Sequence, residues 1–162
     1  MIPFISDPFE VAIKKAQLFA PGTREWMFKQ IVQVIKTNDN PVFVIVGTAG
    51  LGKSVILAEL CRRYCPMIER RLQTKLSRNE IDETQIVALH FFKHDNQVLN
   101  DAKSGIGSIA RQLASSIDEF RHNLEESLKT SNPDELKNLQ VLFRKSILEP
   151  ALKLYLKQDK KQ

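Results

Sequence analysis

The segment Gly47-Thr48-Ala49-Gly50-Leu51-Gly52-Lys53-Ser54 constrains this chain more than any other. It fits the pattern G-x-x-x-x-G-K-[ST] at every position. Val42-Phe43-Val44-Ile45-Val46, just before it, is a continuous apolar run that reads as a buried parallel strand. From Lys53 onward, Val55, Ile56, Ala58, Leu60 and Cys61 supply the apolar side of a helix. Strand, glycine-rich turn and helix start together make a cradle for phosphate. Gly47, Gly50 and Gly52 let the backbone turn its N–H groups inward with no Cβ in the way. The helix start adds unpaired amides and the positive end of its dipole. In such a loop Lys53 reaches the β- and γ-phosphates, and the Ser54 hydroxyl ligates Mg2+. The expected cofactors are ATP or ADP with Mg, held by Gly47, Thr48, Ala49, Gly50, Leu51, Gly52, Lys53, Ser54 and Val55. The bland alternative is a glycine-rich strand-to-helix turn without a ligand.

The rest of the chain reads mainly as helix. Asp7 can cap a first helix, Pro8 suits its first position, and Glu10 completes a capping box. Phe9, Ala12, Ile13, Ala16 and Phe19 follow at helical spacing, and Pro21-Gly22 breaks the run. Thr23 can cap a second helix carrying Met27, Ile31, Val34 and Ile35, which Asn38-Asp39-Asn40-Pro41 ends. Helix is expected to end near Cys65-Pro66 and to resume over residues 67–80. Ile86 to Phe92 is the second expected strand. Ile106, Ile109, Ala110, Leu113 and Ile117 form a helical stripe, continued by Phe120, Leu124 and Leu128 after a break. Asn132-Pro133-Asp134-Glu135 caps a last helix with Leu136, Leu139, Leu142, Phe143 and Ile147, which Pro150 should kink. The expected fold class is α/β, a three-layer αβα P-loop domain with a parallel sheet. Residues 1–40 would be a helical lead-in and 41–162 the N-terminal part of that domain.

Hydrolysis needs more than phosphate binding. A carboxylate should end an apolar strand and hold Mg2+. After Ile86–Phe92 the first acid is Asp95, beyond Lys93 and His94. Asp159 follows Leu152-Lys153-Leu154-Tyr155-Leu156-Lys157-Gln158, whose spacing suits a helix. Neither fits well, so the catalytic residue is unassigned. Two strands are also too few for a stable parallel sheet. Both shortages predict a domain that continues beyond this chain. His90 and His94 would pair on a metal only if helical; in a strand and loop they read as packed or surface residues.

Charge and composition narrow the class further. The 162 residues suit one domain, and the net charge is +5. The densest basic stretch, Arg62, Arg63, Arg70, Arg71, Lys75 and Arg78, has no interleaved aromatic residues to stack on bases. It reads as a solvated helix face, with nucleic acid an unlikely partner. No apolar run approaches the roughly 20 residues of a membrane span. The N-terminus lacks the pattern of a signal peptide, so a cytoplasmic chain is expected. Cys61 and Cys65, the two cysteines, then read as reduced core thiols rather than a disulfide or metal site.

Three stretches carry a resemblance: Phe19-Ala20-Pro21-Gly22-Thr23-Arg24-Glu25-Trp26-Met27-Phe28; Val42 to Cys61; and Ala88-Leu89-His90-Phe91-Phe92-Lys93-His94-Asp95 with Ile109-Ala110-Arg111-Gln112-Leu113-Ala114. Phe143 to Leu152 adds a fourth. On these residues the chain resembles the STAND class of P-loop NTPases, close to the NACHT and nephrocystin-like group. The resemblance implies a nucleotide-dependent signalling switch, closed with ADP and able to form a homo-oligomer with ATP. Protein partners would bind regions outside this chain. It also implies that Arg24 lies in the nucleotide pocket, near the base or ribose. Two other readings stand beside it: a small stand-alone P-loop kinase or GTPase, and a non-catalytic helical interaction module with a vestigial P-loop.

Overall fold

The computed structural model describes residues 7–37, 44–73, 86–93 and 96–159. The chain divides into two compact units, one over Ser6–Val87 and the other built on Ala88–Gln162.

The first unit begins with α1 (Pro8–Ala16). The Asp7 carboxylate caps it by accepting from the Phe9 amide at 3.0 Å. Its other oxygen pairs with Arg71. Phe9, Ala12 and Ala16, at i, i+3 and i+7, are the buried edge of this helix. Ala20-Pro21-Gly22-Thr23 then forms a turn in which the Thr23 amide donates to the Ala20 carbonyl at 3.2 Å. Gly22 has φ +78°, the value a type II turn asks of its third residue, and Pro21 pre-sets the second. α2 (Glu25–Thr37) starts just after Thr23 and Arg24. Thr23 does not cap it: its hydroxyl turns back to the Ala20 carbonyl at 2.6 Å. α3 (Lys53–Tyr64) packs along α1, and α4 (Pro66–Leu72) touches both. Ile56, Ala58, Cys61, Cys65 and Ile68 fill the space between them.

In the second unit, α5 (Gln97–Asn100) leads into α6 (Ala102–Ser116). The Asp101 carboxylate caps α6, accepting from the Ser104 amide and hydroxyl at 2.8 Å each. α7 (Asp118–Lys129) follows a sharp break at Ile117. A short 3-10 turn (Glu135–Lys137) precedes α8 (Leu139–Phe143), and the cap of α8 is Asn138, not the expected Asn132. A wider π turn (Arg144–Leu148) joins α8 to α9 (Glu149–Asp159). Pro150 therefore does not stop the helix. The extra residue per turn lets the chain pass it, and the buried Asn123 side chain donates to its carbonyl at 3.3 Å. α7 packs on α6 and on α9, around Phe120 and Ala110.

The described residues contain helices and no strand, which overturns the expected α/β fold with its parallel sheet. The reasons are local. Val44 and Val46 are 76% and 86% exposed, so the apolar run before the loop is not a buried strand. Val42 and Phe43 lie outside the described residues. In the second expected strand, Leu89 gives its N–H and C=O to one side chain. The Gln112 carboxamide accepts from the Leu89 amide at 3.1 Å and donates to its carbonyl at 2.9 Å. A side-chain amide thus takes the place of a neighbouring strand. Ile86 is held otherwise, its amide donating to the Tyr64 carbonyl at the end of α3 at 2.8 Å. An extended segment without a ladder is not a sheet.

Candidate phosphate-binding site

The segment Gly47–Ser54 forms a tight loop that runs into α3. Gly50 and Gly52 have φ +84° and +76°, left-handed conformations that a Cβ would strain. A Cβ on Gly47 would meet the end of the exposed Leu51 side chain at 3.0 Å, which would have to shift. Gly52 is the N-cap of α3 through its backbone alone, its carbonyl accepting from Val55 and Ile56. The amides of residues 48–54 find no acceptor among the described residues. Seven successive free donors at a helix start are what an anion needs.

Two cations address the same loop. Lys53 Nζ folds back and donates to the Gly47 and Thr48 carbonyls at 2.6 and 2.7 Å. Arg24 Nη1 donates to the Leu51 carbonyl at 3.0 Å. A Cβ on Gly52 would stand 3.4 Å from that nitrogen. Arg24 itself has φ +58°, a left-handed conformation that costs a non-glycine residue roughly 1–2 kcal/mol. Ser54 is exposed in the first turn of α3, and Val55 is half-buried beside it. The loop residues and Arg24 are thus brought together. Asp95 and His94 lie outside the described residues, and Asp159 closes a helix rather than a strand.

Next to Arg24 in sequence, Glu25 enters an ion chain with α3. Glu59, 2% exposed on α3, receives Arg62 through two bonds at 2.6 and 2.7 Å and Arg63 Nε at 2.8 Å. Arg63 also makes a two-pronged pair with Glu25, both bonds 2.7 Å. Its guanidinium lies 4.2 Å from the Phe28 ring centre, and Phe28 packs edge-on against Phe19. Burial pushes the Glu59 carboxyl up, but the two guanidiniums more than offset it and hold it below its ordinary range. The Arg63 hydrogen bonds hold Glu25 low in the same way. Arg62 and Arg71 stay exposed, as expected of a solvated helix face, while they and Arg63 also pair with acids. The spacing Glu59, Arg62, Arg63 at i, i+3 and i+4 was the available signal. Lys75 and Arg78 lie outside the described residues.

Other chemistry-bearing side chains are quiet. Cys61 and Cys65 are buried free thiols. Burial, with Cys65 nearby, pushes the Cys61 thiol up to about 12, so it is no nucleophile at neutral pH. His90 Nε2 meets the Leu99 carbonyl at 3.2 Å and its ring packs edge-on against Phe92. No cluster of three or more metal-ligating side chains occurs among the described residues.

The profile described as nephrocystin 3, N-terminal matches residues 22–161. The chain belongs to the nephrocystin-3 N-terminal family. The match spans the loop and the helices α5 to α9 of the second unit. It begins at Gly22, inside the turn that precedes Arg24 and Glu25. The nephrocystin-like part of the resemblance is therefore shown, and the match does not extend to a STAND or NACHT NTPase as such. No curated protein and no solved structure matches the chain. No helix among the described residues is long and apolar enough to cross a membrane.

Proposed function

We propose that this nephrocystin-3-like region binds ATP or ADP with Mg2+ at Gly47–Ser54 and acts as a nucleotide-responsive element of a signalling protein. One observation carries the reading: the amides of residues 48–54 have no acceptor among the described residues, while Lys53 sits on two carbonyls of the same loop. Free donors and an ammonium seated at the loop suit a polyphosphate. The residues fit that group, because Gly50 and Gly52 take left-handed conformations that turn the loop backbone and a Cβ at Gly50 would meet nothing, leaving room beside it. When bound, the nucleotide would exchange its phosphates' water shell for these amides and bring Mg2+ to neutralise its charge. The chain's own part is to bind and orient. Lys53 would leave the Gly47 and Thr48 carbonyls for the phosphates, and Ser54 would offer its hydroxyl to the metal. Arg24 adds a second positive charge beside Leu51.

The test is a titration with a fluorescent ATP analogue. Lys53→Ala is expected to abolish binding, and unchanged affinity in that variant sinks the assignment. A melt gives an independent check. A ligand at 100 times its Kd should add about 2.7 kcal/mol of stability.

A second reading is favoured by a different observation. On α9 the side chains of Leu148, Leu152, Tyr155 and Leu156, at or beside the helix, are 43–62% exposed. An all-helical surface with such a stripe also suits a non-catalytic interaction module. That reading predicts no shift in melting temperature with ATP and Mg2+.

A further inference from the structure

Glu25 touches neither the loop nor any expected phosphate position. It lies one residue from Arg24, and its carboxylate is committed to Arg63 through two 2.7 Å bonds. Arg63 is in turn fixed to the buried Glu59 of α3, the helix that the loop opens. The start of α2 is therefore tied to α3 by side chains. The Phe28 ring of α2 lies under the same Arg63 guanidinium, 4.2 Å away, and adds to the tie. The tie has a consequence for Arg24. Arg24 sits in a left-handed conformation that costs a non-glycine residue energy, and its guanidinium reaches the Leu51 carbonyl next to Gly52. Gly52 precedes the first turn of α3, where the amides of residues 52–54 point free.

We propose that Glu25 is a positioning residue: through Arg63 and Glu59 it holds Arg24 against the loop, where the guanidinium favours nucleoside polyphosphates over monophosphates. The inference rests on the proposed phosphate binding at this loop and adds its selectivity. The charge logic is direct. A fixed guanidinium beside the loop gains more from a ligand with several anionic oxygens than from one with a single phosphate. Released, the same side chain is a hydrated surface cation that selects little.

The experiment uses the full chain and the fluorescent ATP analogue, displaced by ATP, ADP and AMP. The variants are Glu25→Gln, Arg24→Ala and the double substitution. Glu25 is 42% exposed, and Glu25→Gln keeps its shape and leaves no buried charge, so the fold should survive; far-UV circular dichroism checks this. Each single variant is expected to lose about tenfold in ATP affinity, the worth of one charge-assisted hydrogen bond, with AMP little changed. The double variant should be no weaker than Arg24→Ala alone, because both substitutions remove one effect. A purely structural Glu25 would instead give losses that add, or equal losses for ATP and AMP. Either result overturns the positioning role while leaving phosphate binding in place. Failure of the unsubstituted chain to bind the analogue overturns both.

Discussion

The two units bury polar groups in opposite ways. Residues 6–87 bury a formal charge, Glu59, and satisfy it with two guanidiniums. Residues 88–159 bury small neutral groups: Ser104, Ser108, Asn123, Ser127 and Ser146. Their partners are mixed: Asn123 meets the Pro150 carbonyl, Ser108 the Gln112 amide, and Ser104 and Ser127 the carboxylates of Asp101 and Glu149. An ion chain anchored on a buried carboxylate gives direction and reach: it links residues 38 apart. Small polar residues give close helix approach and little else. The first unit is thus built to hold a side chain in place, and the second to pack.

The comparison breaks first on size. Phe120, 1% exposed between α6 and α7, is the anchor of the second unit. Phe120→Ala should cost about 4 kcal/mol, transfer plus cavity, with no dependence on salt. A thermal melt followed by circular dichroism at low and high salt measures both. Glu59→Ala should cost somewhat less, about 3 kcal/mol. It strands two guanidiniums, but both are partly exposed and recover some hydration. Its cost should also shrink as salt rises. Equal salt responses from the two variants would erase the distinction drawn here.

Acid sharpens the same contrast. The Glu59 carboxyl titrates below its ordinary value of 4.5 in the folded chain, because the Arg62 and Arg63 bonds outweigh its burial. A lowered folded-state value means the pairing stabilises fully above that range and is lost as the pH falls through it. Trp26, the chain's one tryptophan, lies on α2 one residue beyond Glu25 and reports this unit. Its unfolding transition should move to lower temperature below about pH 4.5. Glu59→Gln should flatten that limb. An acid limb of unchanged steepness in Glu59→Gln would show that other carboxylates carry it.

Legibility followed the range of the interactions. Asp7 as a cap, the Pro21-Gly22 turn and the helix after Lys53 were readable, because each is decided within a few residues; a break before Phe120 was readable too, though not its place at Ile117. The loop's glycines were readable for the same reason. The two strands were misread because apolar runs specify burial, not a partner. Val44 and Val46 are exposed, and Leu89 is met by Gln112, 23 positions away. The start of the last helix was misplaced because Asn132 and Asn138 are both plausible caps, and Asn138 captures two amides, those of Gln140 and Val141. The Glu25–Arg63 bond was invisible, since no local pattern joins positions so distant.

The smallest effect tests packing at the finest grain, within α6. Gly105 and Gly107 are two residues apart in one helix, and both weaken it relative to alanine. A Cβ on Gly107 meets nothing within 4 Å, so Gly107→Ala should stabilise by about 0.5–1 kcal/mol. A Cβ on Gly105 would stand 3.3 Å from Phe92 and 3.4 Å from the His90 ring. His90 is held by its bond to the Leu99 carbonyl and by Phe92. To admit the methyl group the rings must move by a few tenths of an ångström, at a cost that offsets the helix gain. Gly105→Ala is therefore expected to be neutral or slightly destabilising, about 1 kcal/mol below Gly107→Ala. Chemical denaturation of the two variants side by side measures the gap. A gap near zero would mean that the extended segment 88–93 rests loosely on α6, and that Gln112, not ring packing, is what fixes it there.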